Sequence, residues 1–242
     1  MSTFVVCHGA WGAGWFWKKM RPLMQAHGHE LFTPSYTGIG ERSHLLHSAM
    51  GRSINLETHI TDVLQVLKFE DLHDVILLGH SYGGMVATGV ADRAAERIAQ
   101  LIYLDAFVPR HGESALSLQP PGGAEAIRTL AQEKGEGWLI PPNPMPADST
   151  AEDFAWGTPK RTLQPLACFE QTLTLTGAVD TLPRRYIYCQ VSRPGDVFRP
   201  FYQRAQTEAG WKHAEMPTSH NPHVTMPNEL MAILQKWATT TS

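Results

Sequence analysis

The stretch Val75-Ile76-Leu77-Leu78-Gly79-His80-Ser81-Tyr82-Gly83-Gly84 decides the fold. Four apolar residues run straight into Gly79-His80-Ser81-Tyr82-Gly83, and a helical pattern begins at Met85. This matches G-x-S-x-G set between a buried strand and a helix. A serine in that setting sits on a sharp, strained turn that exposes its hydroxyl. Glycines on both sides remove the Cβ atoms that would clash in so tight a turn. The helix that follows points the positive end of its dipole at the serine. The pentapeptide alone is a weak pattern, and the strand before it and the helix after it make it a strong one. Ser81 is the candidate nucleophile.

Outward from this point the chain repeats a strand-and-helix rhythm. Short apolar runs fall at residues 4–7, 31–32, 101–104 and 186–189, with a weaker one over 211–216. Continuous rather than alternating apolar runs predict strands buried on both faces. Between the runs, Leu56, Ile60, Val63, Leu64 and Leu67 share one helical stripe, as do Leu230, Ile233, Leu234 and Trp237. The pattern predicts an α/β fold, a mostly parallel sheet with helices on both faces. Residues 1–242 are expected to form one domain. One segment, about 106–180, separates two strands by far more than a usual crossover. It holds Pro120-Pro121-Gly122-Gly123 and Pro141-Pro142-Asn143-Pro144-Met145-Pro146, a stretch at 124–134 that can be helical, and the aromatics Trp138, Phe154 and Trp156. That aromatic content argues against a disordered linker. The segment is expected to be a cap inserted over the C-terminal edge of the sheet.

Composition narrows the function. Hydrophobic residues make up 43% of the 242 and charged residues 18%, as in a folded soluble protein. The net charge of -3 and the lack of a basic stretch speak against nucleic acid as a partner. No apolar run reaches the roughly 18 residues that cross a membrane, and residues 1–7 do not read as a secretory signal. Cys7, Cys168 and Cys189 are an odd set, expected to be buried thiols of a reducing cytoplasm.

A nucleophilic serine needs oxyanion donors and a base. One donor should be the backbone N–H of Tyr82, directly after Ser81. The other should come from the loop after an earlier strand. His8-Gly9-Ala10-Trp11-Gly12 stands there, with Ala10 N–H as the candidate donor and Gly9 permitting close backbone approach. The base should be a histidine late in the chain. Two compete in Pro217-Thr218-Ser219-His220-Asn221-Pro222-His223, ahead of a helix starting near Pro227. A metal site at this pair is disfavoured. Pro222 breaks a helical i, i+3 arrangement, and no Cys or carboxylate cluster joins the two histidines.

These features resemble the α/β-hydrolase superfamily. The likeness is closest to the branch of salicylate-binding-type methyl esterases, hydroxynitrile lyases and bacterial carboxylesterases of the pyrethroid-hydrolase kind. It is carried by His8-Gly9-Ala10-Trp11-Gly12-Ala13-Gly14-Trp15-Phe16-Trp17, by Gly79-His80-Ser81-Tyr82-Gly83-Gly84, by Thr37-Gly38-Ile39-Gly40-Glu41-Arg42-Ser43-His44, and by His220 seven residues before Pro227. It extends over nearly the whole chain and is weakest across the cap. The resemblance implies an α/β-hydrolase fold with His220, rather than His223, as the base and with Ala10 and Tyr82 as oxyanion donors. It also separates activities. The lyases of this branch carry a Thr in the first oxyanion loop and a Lys after the catalytic His, where this chain has Gly9 and Asn221. An uncharged Asn does not stabilise a leaving cyanide, so ester hydrolysis is favoured.

The acid departs from the family pattern. After the strand at 186–190 the chain reads Val191-Ser192-Arg193-Pro194-Gly195-Asp196, with Ser192 at the usual distance for the carboxylate. Asp196 comes later but keeps the family's run to Pro200, and it is preferred. Asp105, ending the strand at 101–104, is the alternative. The expected protein is a serine carboxylesterase acting through an acyl-enzyme, with no cofactor or metal implied. Its substrate is a small-molecule ester with an apolar or aromatic part. Trp11, Phe107, Trp138, Phe154 and Trp156 are the candidate pocket wall. A homodimer is compatible with the sequence. A carbon–carbon lyase and a non-catalytic small-ligand receptor on the same fold are the rival readings.

Overall fold

The computed structural model describes residues 1–191 and 195–239. Six strands form one sheet in the order β2-β1-β3-β4-β7-β8, every neighbouring pair parallel. They are β1 (Thr3–Cys7), β2 (Glu30–Phe32), β3 (Val75–His80), β4 (Ile98–Leu104), β7 (Arg184–Cys189) and β8 (Trp211–Met216). A two-stranded antiparallel ribbon pairs β5 (Leu139–Ile140) with β6 (Gln164–Pro165).

Alternation along the strands explains their continuous apolar runs. Phe4 and Val6 of β1, with Ile76 and Leu78 of β3, face one core. Val5, Cys7, Val75 and Leu77 face the other. Side chains point alternately to the two faces, so a strand covered on both sides must be apolar throughout. Each fully buried aliphatic side chain contributes roughly 1.5–3 kcal/mol. The first face is covered by α1 (Met20–Ala26) and α9 (Pro227–Ala238), through Met20, Met24, Leu230, Leu234 and Trp237. The second is covered by α2 (Leu56–Phe69) and α3 (Gly83–Arg93). Asn55 and Thr58 start α2 with a reciprocal capping box. The weaker run became β8 because this is an edge strand, half of it exposed.

Between β4 and β7 lie α4 (Gly123–Lys134), α5 (Ala151–Gly157), the β5–β6 ribbon and α6 (Ala167–Glu170). Two further helices flank the last strand, α7 (Arg199–Thr207) before it and the short α8 (Pro222–Thr225) after it. β1 pairs with β2 on one side and β3 on the other, so the chain order reverses there. Open parallel sheets form their ligand crevice at such a point, beyond the carboxyl ends of the strands. The loops leaving β1 and β3 end in it. No helix among the described residues is long and apolar enough to cross a membrane. Cys7, Cys168 and Cys189 are buried and form no disulfide.

Candidate active site

Ser81 follows β3 with a backbone φ of +58°, in the left-handed region that non-glycine residues rarely adopt. The conformation is held on both sides. Ser81 N–H donates to the Leu104 carbonyl (3.3 Å), and the Ser81 carbonyl accepts from Gly84 N–H (3.0 Å) and Phe107 N–H (3.2 Å). The flanking glycines serve close approach. A Cβ on Gly83 would run into the Cys7 carbonyl, and one on Gly84 into the Phe107 carbonyl. Behind the turn, the Tyr82 ring stacks on Phe169 at 5.2 Å between centroids. Its hydroxyl donates to His59 Nδ1 (3.0 Å), whose Nε2–H donates to the Thr37 carbonyl (3.2 Å).

Ser81 opens into a cavity of about 570 Å³, which Ala10, Tyr82 and His220 also line. Among the described residues, neither Ala10 N–H nor Tyr82 N–H has a hydrogen-bond partner, as a pair of amides open to a developing oxyanion requires. The loop carrying Ala10 is fixed from both sides. Trp11 adopts φ +62°, its carbonyl accepts from Thr162 N–H (3.1 Å), and its indole donates to the Ile140 carbonyl (3.0 Å). Gly9 lies so close that an added Cβ would sit 3.0 Å from Ser81 Cβ and from His80 Nδ1.

His220 follows β8. Its Nδ1 lies 2.7 Å from Asp105 Oδ2. Its ring stacks on Phe198 at 5.0 Å and 10°. Its carbonyl accepts from His80 Nε2–H at 2.8 Å. Asp105 immediately follows β4 with φ +44° and is fully buried. Its Oδ1 accepts from Cys189 N–H (3.3 Å), and its own N–H donates to the Ile187 carbonyl (2.7 Å).

The carboxylate beside His220 is thus Asp105, and the preference for Asp196 drawn from its spacing to Pro200 is corrected. Asp196 Oδ2 accepts from the Tyr188 hydroxyl (2.5 Å) and lies 3.6 Å from Arg199, and its Oδ1 accepts from Phe198 N–H (3.2 Å). That last bond is an Asx-type turn leading into α7. The spacing to Pro200 therefore reflects the start of a helix. Ser192 lies outside the described residues.

His223 does not reach the cavity. It is fully buried, stacked on Trp17 at 4.4 Å and 8°. Burial, chiefly, pushes the pKa of His8 down to about 4 and those of His59 and His80 to about 3, and that of His223 well below the ordinary value. Burial thus favours the neutral form of all four rings. Among the described residues, no group of three or more His, Cys, Asp or Glu side chains is placed to hold a metal ion.

Two of the five expected wall residues, Trp11 and Phe107, line the cavity. Three do not. Trp138 is half-buried against the core with Arg52 4.9 Å above its ring. Phe154 is 37% exposed. Trp156 packs on Trp15 (5.2 Å) and Phe16 (5.7 Å). Further apolar lining includes Ile127, Leu130, Ile140, Phe169 and Phe198, with Arg161 among the polar residues. Ile127 and Leu130 stand three apart on α4, a helical spacing visible in the sequence. Nothing in the sequence singled out Arg161, whose pKa burial lowers to about 10.

A model of the alpha/beta hydrolase family matches residues 4–233. The chain is 40% identical over 241 residues to the carbendazim hydrolyzing esterase of Nocardioides sp. (strain SG-4G), covering 95% of this chain and 97% of that protein. It is 25% identical over 257 residues to a pyrethroid hydrolase of Sphingobium wenxiniae, covering 98% and 88%. Among solved structures, an extracellular alpha/beta-hydrolase from a Paenibacillus species superposes with a TM-score of 0.83 over 98% of both chains, at 23% identity. A match across nearly the full length, on a sheet with its serine turn at the switch point, leaves one conclusion: the chain belongs to the alpha/beta hydrolase family.

Proposed function

We propose that this protein is a carboxylic ester hydrolase that forms an acyl-enzyme on Ser81. Esterase relatives along the full length support ester hydrolysis. The observation that carries the finer assignment is the 2.7 Å contact between Asp105 Oδ2 and His220 Nδ1, beside the cavity into which Ser81 opens. An ionised carboxylate only accepts hydrogen bonds, so this contact places the ring proton on Nδ1 and leaves Nε2 as the base.

Ser81 Oγ attacks the ester carbonyl while His220 Nε2 takes its proton. The negative charge moves to the carbonyl oxygen, facing the amides of Ala10 and Tyr82. The bond between the acyl carbon and the alcohol oxygen then breaks, and His220 gives its proton to the departing alkoxide. A water next attacks the acyl carbon and passes a proton to His220. Finally the bond to Ser81 breaks, the proton returns to Oγ and the acid leaves. Asp105 remains ionised throughout and steadies the imidazolium.

The substrate has an apolar or aromatic part that fits against Trp11, Phe107, Ile127, Leu130, Phe169 and Phe198. Asn221 lines the cavity beside His220 without a charge, which disfavours carbon–carbon cleavage. The test is hydrolysis of a chromogenic aryl ester and of carbendazim, with wild type and Ser81→Ala. Turnover that disappears in a folded Ser81→Ala protein supports the reading. Absence of turnover by wild type on a broad ester panel favours a receptor.

A further inference from the structure

The side chain of Asp148 ties the loop bearing His220 to the segment between β4 and β7. Its Oδ2 accepts from Ser219 N–H at 2.8 Å and from the Thr218 hydroxyl at 2.9 Å, and its Oδ1 accepts from the Ser219 hydroxyl at 2.5 Å. Ser219 directly precedes the proposed base. Because the carboxylate can only accept, Thr218 gives its proton to Asp148, and the Thr225 hydroxyl is left to donate, with Thr218 Oγ at 2.6 Å and the Asn221 carbonyl at 3.2 Å as its acceptors. Burial works against the ionised form of Asp148, but the Ser219 and Thr218 donors outweigh it and hold the carboxyl below its ordinary range.

Among the described residues, hydrogen bonds from three separate side chains therefore hold His220 and the residue before it. Asp105 holds its ring from behind, His80 holds its carbonyl, and Asp148 holds the peptide before it. The first two come from the ends of β4 and β3 in the sheet. The third comes from the same inserted segment that supplies Ile127, Leu130 and Ile140 to the substrate wall, and Asp148 itself lines the cavity. A shift of the 143–148 loop, which lines the cavity through Asn143, Pro144, Pro146 and Ala147, would be passed to His220 through charge-assisted bonds. Such bonds are roughly twice as strong as neutral ones.

We propose that Asp148 is a positioning residue for the base: it couples the substrate-binding segment to the placement of His220. The inference rests on the assignment of Ser81 and His220 given above. A displacement of about 1 Å in a reacting group can cost on the order of 100-fold in rate. Loss of this tie is therefore expected to appear in kcat.

The test is steady-state kinetics on one short and one bulky aryl ester for wild type, Asp148→Ala, Asp148→Glu, Ser219→Ala and the Asp148→Ala/Ser219→Ala double variant. The fraction of folded protein is checked by circular dichroism. In Asp148→Ala, kcat is expected to fall roughly 10–100-fold on both esters with KM changed less than about threefold. Asp148→Glu should recover part of the loss. Ser219→Ala should be milder, and the double variant should be no worse than Asp148→Ala. If Asp148→Ala does not fold, Ser219→Ala decides, since it removes one of the three bonds and a single hydroxyl. Unchanged kcat, or a loss confined to KM or to one ester, would overturn the proposal. If wild type hydrolyses neither ester, or Ser81→Ala retains full activity, the esterase mechanism itself fails.

Discussion

Asp105 and His220 lie 115 residues apart in sequence and 2.7 Å apart in space, joined through a carboxylate with no solvent exposure. Two loops at the carboxyl edge of the sheet make the contact. The φ of +44° at Asp105 turns the chain sharply as it leaves β4. A carboxylate so placed needs no long loop after β7 to reach the proposed base.

Asp105→Asn tests that contact. The amide can favour the wrong ring tautomer of His220, a change worth about 10⁴ in kcat in a serine protease triad. A comparable loss is expected here, while Asp196→Asn should stay within about threefold of wild type and lose only its local turn. Initial rates on an aryl ester check both.

His220 and His223 separate in the same assay. His220→Ala should abolish turnover nearly as completely as Ser81→Ala. His223 is buried, and among the described residues neither of its ring nitrogens has a hydrogen-bond partner. Its replacement by Leu removes two unsatisfied polar atoms, so folding stability should be unchanged or higher, with activity retained. Urea unfolding of His223→Leu measures this.

Gly9→Ala probes the packing behind the proposed oxyanion loop. Its Cβ would press on Ser81 Cβ and His80 Nδ1 at 3.0 Å. A loss of about 10–100-fold in kcat is expected, because the reacting oxygen moves by tenths of an ångström against its donors. The melting temperature should fall by only a few degrees.

Much of this arrangement was legible in the sequence. Residues 75–84 carried a local signal, an apolar run, a glycine-flanked serine and a helix start, and the structure has the strand, the turn and the helix there. The trio Ile127, Leu130 and Phe169 carried none that distinguishes a pocket wall from core, because apolar residues serve both. Trp138 and Trp156 show the same ambiguity: an aromatic side chain can pack away from a pocket as readily as against it, and these two pack on Arg52 and Phe16. The choice between Asp105 and Asp196 depended on which loop end turns toward His220. That is set by a positive φ and by the Tyr188 hydroxyl, neither of which has a sequence pattern.

The wall residues give a specificity prediction. Phe107→Ala or Phe169→Ala should weaken bulky esters relative to short ones by roughly 1–3 kcal/mol in kcat/KM. Trp138→Ala and Phe154→Ala should leave that ratio unchanged. A matrix of four variants and two esters is sufficient.

Acid should destabilise the fold through its buried histidines. His8, His59 and His80 have folded pKa values of about 4, 3 and 3, depressed mainly by burial, against an ordinary 6.5. The unfolded chain binds protons first as the pH falls, so this stability is present above about 6.5 and is lost below it. Each histidine contributes at most about 1.4 kcal/mol per pH unit in that window. Urea midpoints at pH 7, 6 and 5 should fall progressively, and less steeply in His59→Gln.

The central claim is a covalent acyl-enzyme on Ser81 that depends on His220. The most direct measurement is peptide-level mass spectrometry after reaction with an aryl fluorophosphonate, which leaves a stable adduct on an activated serine. The account predicts one adduct, on the peptide containing Ser81, and its loss in His220→Ala and Ser81→Ala proteins that remain folded. An adduct on another residue, or undiminished labelling of Ser81 without His220, would contradict it.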